Sequence, residues 1–333
     1  MFRKRKSWLI LFGILLPLLL TELGLRLVGY GMVRPELNFG VNMRSGLEAG
    51  RLELDRQVFW REAGGPPTQM HERLRLIRVG DPVPPKGDKY RIICLGDSCT
   101  RLSRQGWPYS LLLQEGLGLA YVEVFNASLE GYSSHQGLAW LRHHLLAYEP
   151  DLVIVYFGWN DHWRSTGRTD AEYAASLSTS HLRLFDLFRS QPDESPLRVS
   201  IDEFGANLQE IANLVERRGG QTLLLTAPSA ISGESQERLR ENGYLQFGDQ
   251  APRLHANYQQ AVRLLDNEWD PQVLDVANIF AYISDPEILF YRDGIHLTDM
   301  GHIALAAVLV DHVRHHYLGD AAPVSHPAAV ALV

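Results

Sequence analysis

The chain has little cysteine, no repeated unit and fewer basic than acidic residues outside its start. Its 333 residues include two cysteines, Cys94 and Cys99. There is no C-x-x-C pair and no Cys/His spacing suited to zinc, so no metal site is expected. Cys94 lies in an apolar run and Cys99 just past its end, where the two side chains do not meet in disulfide geometry. Both are expected to be free thiols. Absence of an internal repeat excludes solenoid and propeller arrays. The formal charge is -7 although Arg3, Lys4, Arg5 and Lys6 open the chain, so the remainder is more acidic still. Nucleic acid needs clustered Lys and Arg, and it is not expected as a partner. What is present is 45% hydrophobic residues, the composition of an ordinary globular protein able to bury a large core.

The N-terminus also lacks a feature. Behind "RKRK" an apolar run extends from Trp8 to Leu20, yet no small-x-small cleavage site follows it. A cleaved signal peptide and an uncleaved anchor compete here. The expectation is an anchor over Ser7 to Val28, within a first segment 1–33, with Glu22 and Arg26 tolerated near the far interface. The positive-inside rule then keeps the basic cluster in the cytoplasm and sends the rest across the membrane.

Residues 34–89 are rich in Pro and Gly ("EAGGPPTQ", "GDPVPPKGD") and read as a membrane-proximal arm of loops and short strands, with a hairpin around "GRLELDRQVFW". From Tyr90 the pattern changes. Short apolar runs ("RIICLG", "YVEVFNAS", "DLVIVYFG", "QTLLLTAP", "QVLDVANIF") alternate with amphipathic helical stretches, ending in a helix from Asp299 to about Tyr317. That alternation predicts an α/β domain over 90–318, a central parallel sheet with helices on both faces. Two polar interruptions, Asp161 to Ser200 and Ser229 to Pro252, are read either as substrate-contacting flaps or as inert insertions. The last residues, 319–333, read as a disordered tail.

Ligands of an open parallel sheet bind beyond the carboxyl ends of its strands, so the residues after each apolar run form one facing set. They are Gly96, Asp97 and Ser98; Asn126 to Ser128 and then Gly131; Gly158, Trp159, Asn160 and Asp161; and, before the last helix, Asp293 and His296. Taken alone, Ser98 is a good helix-starting turn residue. Taken with the others it completes the parts for serine acyl transfer: a hydroxyl nucleophile (Ser98), an imidazole base (His296) and a carboxylate to orient it (Asp293). The oxyanion donors would be the N–H groups of Ser98 and Gly131 and the Asn160 side-chain amide. Ser98 is expected at the N-terminus of a helix whose free N–H groups favour negative charge. Asp97 is read as a structural residue of the turn. Trp159 is a candidate substrate-binding residue, or else packs beneath its loop. Cys99 is assigned to packing, although a helix start would favour its thiolate. His312, His315 and His316 have i, i+4 spacing but no carboxylate at a defined distance, and read as a solvated helix end.

"GDS" at 96–98, "NASLEGYSS" around Gly131, "GWND" at 158–161 and "DGIH" at 293–296 resemble, in order and spacing, the four blocks of the SGNH/GDSL hydrolases. The resemblance covers roughly Lys89 to Leu318. It implies a flavodoxin-like three-layer sandwich, a Ser98, Asp293, His296 triad, an oxyanion hole of Ser98, Gly131 and Asn160, and neither metal nor organic cofactor. With the anchor, it implies a bacterial inner-membrane protein of single-pass topology whose catalytic domain faces the periplasm. The expected activity is that of an exported serine esterase acting on a small molecule, lipid or envelope glycan; the alternatives are an O-acyltransferase using the same acyl-enzyme and a noncatalytic envelope binding protein. "GDSCTRLSRQG" delays to Gly106 a glycine that many members carry earlier, which affects substrate fit. Thr100 stands where a G-x-S-x-G elbow needs glycine.

Overall fold

The computed structural model describes residues 2–28, 41–101, 103–165, 167–177, 182–188, 195–267, 270–283 and 285–319. Helix α1 (Phe2–Leu27) contains Pro17, and its last turns carry Glu22 and Arg26 in an i, i+4 ion pair. Glu22 also accepts the backbone N–H of Leu184 at 2.9 Å. The purely apolar part, Trp8 to Leu20, rises only about 20 Å at helical pitch, against a hydrocarbon core of roughly 30 Å. No helix among the described residues is long and apolar enough to cross a membrane. This overturns the expected transmembrane anchor, and with it the anchored class of family member, the membrane as a partner and the inner-membrane, periplasm-facing placement.

The arm is more ordered than its Pro and Gly content suggests. After α2 (Val41–Glu48), the hairpin pairs β1 (Leu52–Asp55) with β2 (Phe59–Glu62) antiparallel. Its turn is closed by Asp55, whose carboxylate accepts the N–H groups of Gln57 and Val58. The short helix α3 (Gln69–Arg73) follows, opened by a capping box between Thr68 and His71.

Five apolar runs form one parallel sheet: β3 (Tyr90–Gly96), β4 (Val122–Ser128), β5 (Leu152–Tyr156), β6 (Gln221–Leu225) and β7 (Gln272–Leu274). Their spatial order is β4-β3-β5-β6-β7. Alternation along β3 sends Ile92 and Cys94 to one face and Ile93 and Leu95 to the other, where separate hydrophobic clusters bury them. After the single-turn helix α4 (Ser98–Arg101), the first face is covered by α5 (Tyr109–Leu117). The second face carries α6 (Ser134–His143), Tyr173 of α7 (Asp170–Leu177), α8 (Ile201–Glu216) and the arm hairpin. The chain then continues through α9 (Gly233–Glu241), α10 (Ala251–Arg263) and α11 (Val276–Ala281) to α12 (Asp299–Val313), which packs beside α5 on the first face. Three layers result, in the order expected for a flavodoxin-like sheet.

One expected strand is shorter than its apolar run. The last strand stops at Leu274 because Asp275 caps α11, accepting the Asn278 N–H and holding Thr226 and Arg263. Both insertions contain helix: α7 in the first, α9 in the second. Of the tail, residues 320–333 lie outside the described residues, as do 34–40 of the arm.

Candidate active site

β3 is flanked by β4 and β5, with Gly96 aligned to Ser128 on one side and to Tyr156 on the other. The loops leaving all three strands therefore meet around Ser98, at the point where strand order reverses. Gly96 is required by space. A Cβ there would lie 2.1 Å from Thr100 Oγ1 and 2.9 Å from the Tyr156 carbonyl oxygen. Gly96→Ala is accordingly expected to cost roughly 1–3 kcal/mol of stability, read as a lower urea midpoint, because a backbone atom cannot move aside cheaply.

The turn itself is built by Asp97. One carboxylate oxygen accepts the Cys99 N–H at 2.9 Å and the other accepts the Asn160 side-chain amide at 2.8 Å. Burial pushes the Asp97 carboxyl up to about 6, against the lowering effects of these donors and of His296. The helix after Ser98 is only one turn long, with α5 beginning at Tyr109. Ser98 thus stands at a helix N-terminus, as expected, but the helix behind it is a single turn. Cys99 is buried, and burial pushes its thiol well above the ordinary range, so the helix start does not stabilise a thiolate. Both cysteines are free.

His296 Nε2 lies 2.9 Å from Ser98 Oγ, and His296 Nδ1 lies 2.8 Å from Asp293 Oδ2. The other Asp293 oxygen accepts the N–H groups of Ile295 and His296, so the carboxylate is fixed in its own turn. Gly294, at φ +70, makes this turn possible; the Ala230 carbonyl, at the start of the second insertion, sits 2.5 Å from where a Cβ would be. Burial lowers the His296 pKa, but the Asp293 hydrogen bond and the charges of Asp293, Asp97 and Glu130 outweigh it and leave the imidazole above its ordinary 6.5. Burial raises the Asp293 carboxyl, and the His296 and backbone hydrogen bonds bring it below the ordinary carboxylate value. The arrangement can pass the Ser98 proton to an imidazole whose charge Asp293 then balances.

Gly131 is at φ +80 in the loop after β4, two residues beyond Leu129, whose N–H donates to the Gly96 carbonyl at 3.4 Å. Among the described residues, neither the Ser98 nor the Gly131 N–H donates to a protein acceptor. Asn160 is tied by one amide hydrogen to Asp97, which leaves the second for another acceptor. Trp159 is only 2% exposed and stacks on His255 at a centroid distance of 3.6 Å. Its ring thus packs beneath the loop and offers no open face to a ligand, the second of its two readings. Among the described residues, no three His, Cys, Asp or Glu side chains are grouped to hold a metal ion. His312 and His316 simply stack on each other at the end of α12.

Sequence reasoning missed the supports of this site. Asp161, from "GWND", accepts the Ser134 N–H and hydroxyl and so ties the β5 loop to the start of α6; burial pushes its carboxyl up to about 7. Arg101 donates to the Ser128 carbonyl and to Glu62 of the arm hairpin, linking the nucleophile turn to β2. Arg198 and Asp170, from the first insertion, reach the Gly131 loop. These hydrogen bonds span 27 to 67 residues of sequence, and of Asp161, Arg101, Arg198 and Asp170 only Asp161 lies in one of the four blocks.

The structure of a lipase/acylhydrolase from Enterococcus faecalis is similar at 21% identity and a TM-score of 0.44, covering 67% of this chain and 94% of its own. An acetyl xylan esterase, AlAXEase, is similar at 23% identity and a TM-score of 0.46, covering 67% and 100%. A GDSL-like lipase from Bacteroides thetaiotaomicron is similar at 15% identity and a TM-score of 0.42, covering 71% and 92%. No curated protein matches the chain. The sequence profile of the GDSL-like lipase/acylhydrolase family matches residues 94–304, a span that runs from the strand before Ser98 to beyond His296. The chain therefore belongs to the GDSL-like lipase/acylhydrolase family, hydrolases acting on ester bonds.

Proposed function

We propose that this protein hydrolyses a carboxylic ester through an acyl-enzyme on Ser98. The observation that carries this reading is the unbroken hydrogen-bonded chain Asp293, His296, Ser98, at 2.8 and 2.9 Å. In the proposed reaction Ser98 Oγ attacks the ester carbonyl while His296 Nε2 takes its proton. The tetrahedral oxyanion accepts hydrogen bonds from the N–H groups of Ser98 and Gly131 and from the free amide hydrogen of Asn160. Collapse of this intermediate breaks the bond to the alcohol oxygen, which leaves with the proton held by His296. Water, deprotonated by the same imidazole, then attacks the acyl-enzyme, and release of the carboxylic acid restores Ser98. Family membership supports ester hydrolysis in general; the ester itself is proposed to be that of a small molecule, a glycan or a lipid.

His296 must be neutral to accept the Ser98 proton. Because its pKa is raised, the protonated, inactive form persists to higher pH than for an ordinary histidine. kcat/KM is therefore expected to fall as pH falls, with a midpoint above 6.5, and a pH profile with p-nitrophenyl acetate checks it. The reading as a whole is tested by comparing the wild-type chain with Ser98→Ala on that substrate, with and without an added sugar as acyl acceptor. Turnover to free acetate that is lost in the variant supports it; equal turnover in both removes Ser98 from the chemistry, and acetyl transfer to the sugar in preference to release makes the protein an acyltransferase.

A further inference from the structure

The Gly131 loop is gripped by Arg198, Asp170 and Gln136, which lie outside the four sequence blocks. The Arg198 guanidinium donates through Nη1 to the Gly131 carbonyl at 2.6 Å and through Nη2 to Gln136 Oε1 at 2.7 Å. Its Nε and Nη2 reach the two oxygens of Asp170 at 3.1 and 2.9 Å. Arg198 and Asp170 are 3% and 0% exposed, so the pair is held without competition from water. Ser133, the cap of α6, donates to the same Asp170 carboxylate.

From the opposite direction comes the arm hairpin. The Trp60 ring lies 5.7 Å from the Arg198 guanidinium, and its Cζ2 would be 3.3 Å from a Cβ on Gly131. The Tyr132 hydroxyl donates to the Trp60 carbonyl at 2.6 Å, and Gln136 donates to Val58 at 2.8 Å. A glycine at positive φ is the residue most free to rotate its flanking peptides. Here the carbonyl is fixed by a charged, planar fork, and the N–H is left without a protein acceptor.

We propose that Arg198 is a positioning residue for the oxyanion site: by holding the Gly131 carbonyl against Asp170, with Trp60 behind it, it aims the Gly131 N–H at the carbonyl oxygen of the substrate. This rests on the serine mechanism above. It gives part of the first insertion a role that neither a flap nor an inert loop would have. It also makes the arm hairpin, which lies outside the family match at 94–304, a structural part of the site. Donors aimed in advance at the developing charge act only in the transition state, so their misplacement lowers kcat and leaves ground-state binding nearly untouched.

The test uses the full chain carrying Arg198→Met or Arg198→Lys, with Ser98→Ala beside them, and measures kcat, KM and the pH midpoint on p-nitrophenyl acetate for protein with wild-type circular dichroism. Lysine keeps a cation opposite Asp170 but cannot also satisfy Gly131 and Gln136, so Arg198→Lys supplies the result if the methionine variant does not fold. The expected result is a kcat reduced roughly 10- to 100-fold, with KM within about twofold and the pH midpoint unchanged. A folded Arg198→Lys with kcat within about twofold of wild type, or a loss confined to KM or to a moved pH midpoint, overturns the proposal. Should Ser98→Ala turn over as fast as wild type, the serine reading fails and takes this one with it; loss of turnover in Ser98→Ala alone would overturn only the role of Arg198.

Discussion

His296→Ala is expected to lower kcat for ester hydrolysis by about 10⁴- to 10⁶-fold, the largest effect of any substitution outside Ser98. A serine hydroxyl is a weak nucleophile at neutral pH unless its proton has somewhere to go. In this site the base hydrogen-bonded to Ser98 Oγ is His296 Nε2, at 2.9 Å. The neighbouring carboxylate of Asp97 serves structure, occupied by the Cys99 N–H and the Asn160 amide. KM should change much less than kcat, because the imidazole acts on the proton in flight and not on the bound ester. Steady-state kinetics with p-nitrophenyl acetate, run beside urea unfolding to establish that the variant is folded, check both statements.

Asp293→Asn is expected to cost about 10⁴-fold in kcat, by a different route. One oxygen of Asp293 accepts the N–H groups of Ile295 and His296. An asparagine would keep its carbonyl oxygen there and turn its NH₂ toward His296 Nδ1. That ring nitrogen would have to accept, which puts the imidazole proton on Nε2, where it cannot take another from Ser98. The variant would also lose the hydrogen bond and charge that raise the His296 pKa, so the acid limb of its residual activity should move to lower pH. The sign is diagnostic. An unmoved limb in a folded variant would mean that Asp293 does not set the protonation of His296.

Much of the hydrolase domain was legible because its signals are local. Runs such as "RIICLG" and "DLVIVYFG" are buried on both faces and so read as uninterrupted apolar segments, and the residues ending them fall at one edge of a parallel sheet. Ser98 could be named for that reason, and Asp293 and His296 from their spacing of three in the loop before the last helix. Where competing interactions decide, the sequence misled. The strand expected through "QVLDVANIF" yields at Asp275, whose carboxylate prefers a helix cap and Arg263 to a strand position. At the N-terminus, basic residues before an apolar run suggested an anchor, yet Trp8 to Leu20 is too short and Glu22 is engaged with Arg26 and Leu184. The helix that starts at Ser98 is a single turn, and the amphipathic helix expected after it begins at Tyr109. The supports of Gly131 stayed hidden for a physical reason: Trp60, Asp170 and Arg198 meet only after folding, and each is an ordinary residue in its own segment.

In the proposed reaction Ser98 carries the acyl group. The most direct test of this is intact-protein mass spectrometry after brief exposure to a fluorophosphonate, followed by peptide mapping, on wild type and Ser98→Ala. One adduct is expected, on Ser98, and none in the variant. An adduct of equal yield in Ser98→Ala, or one mapped to any other residue in the wild type, would contradict it.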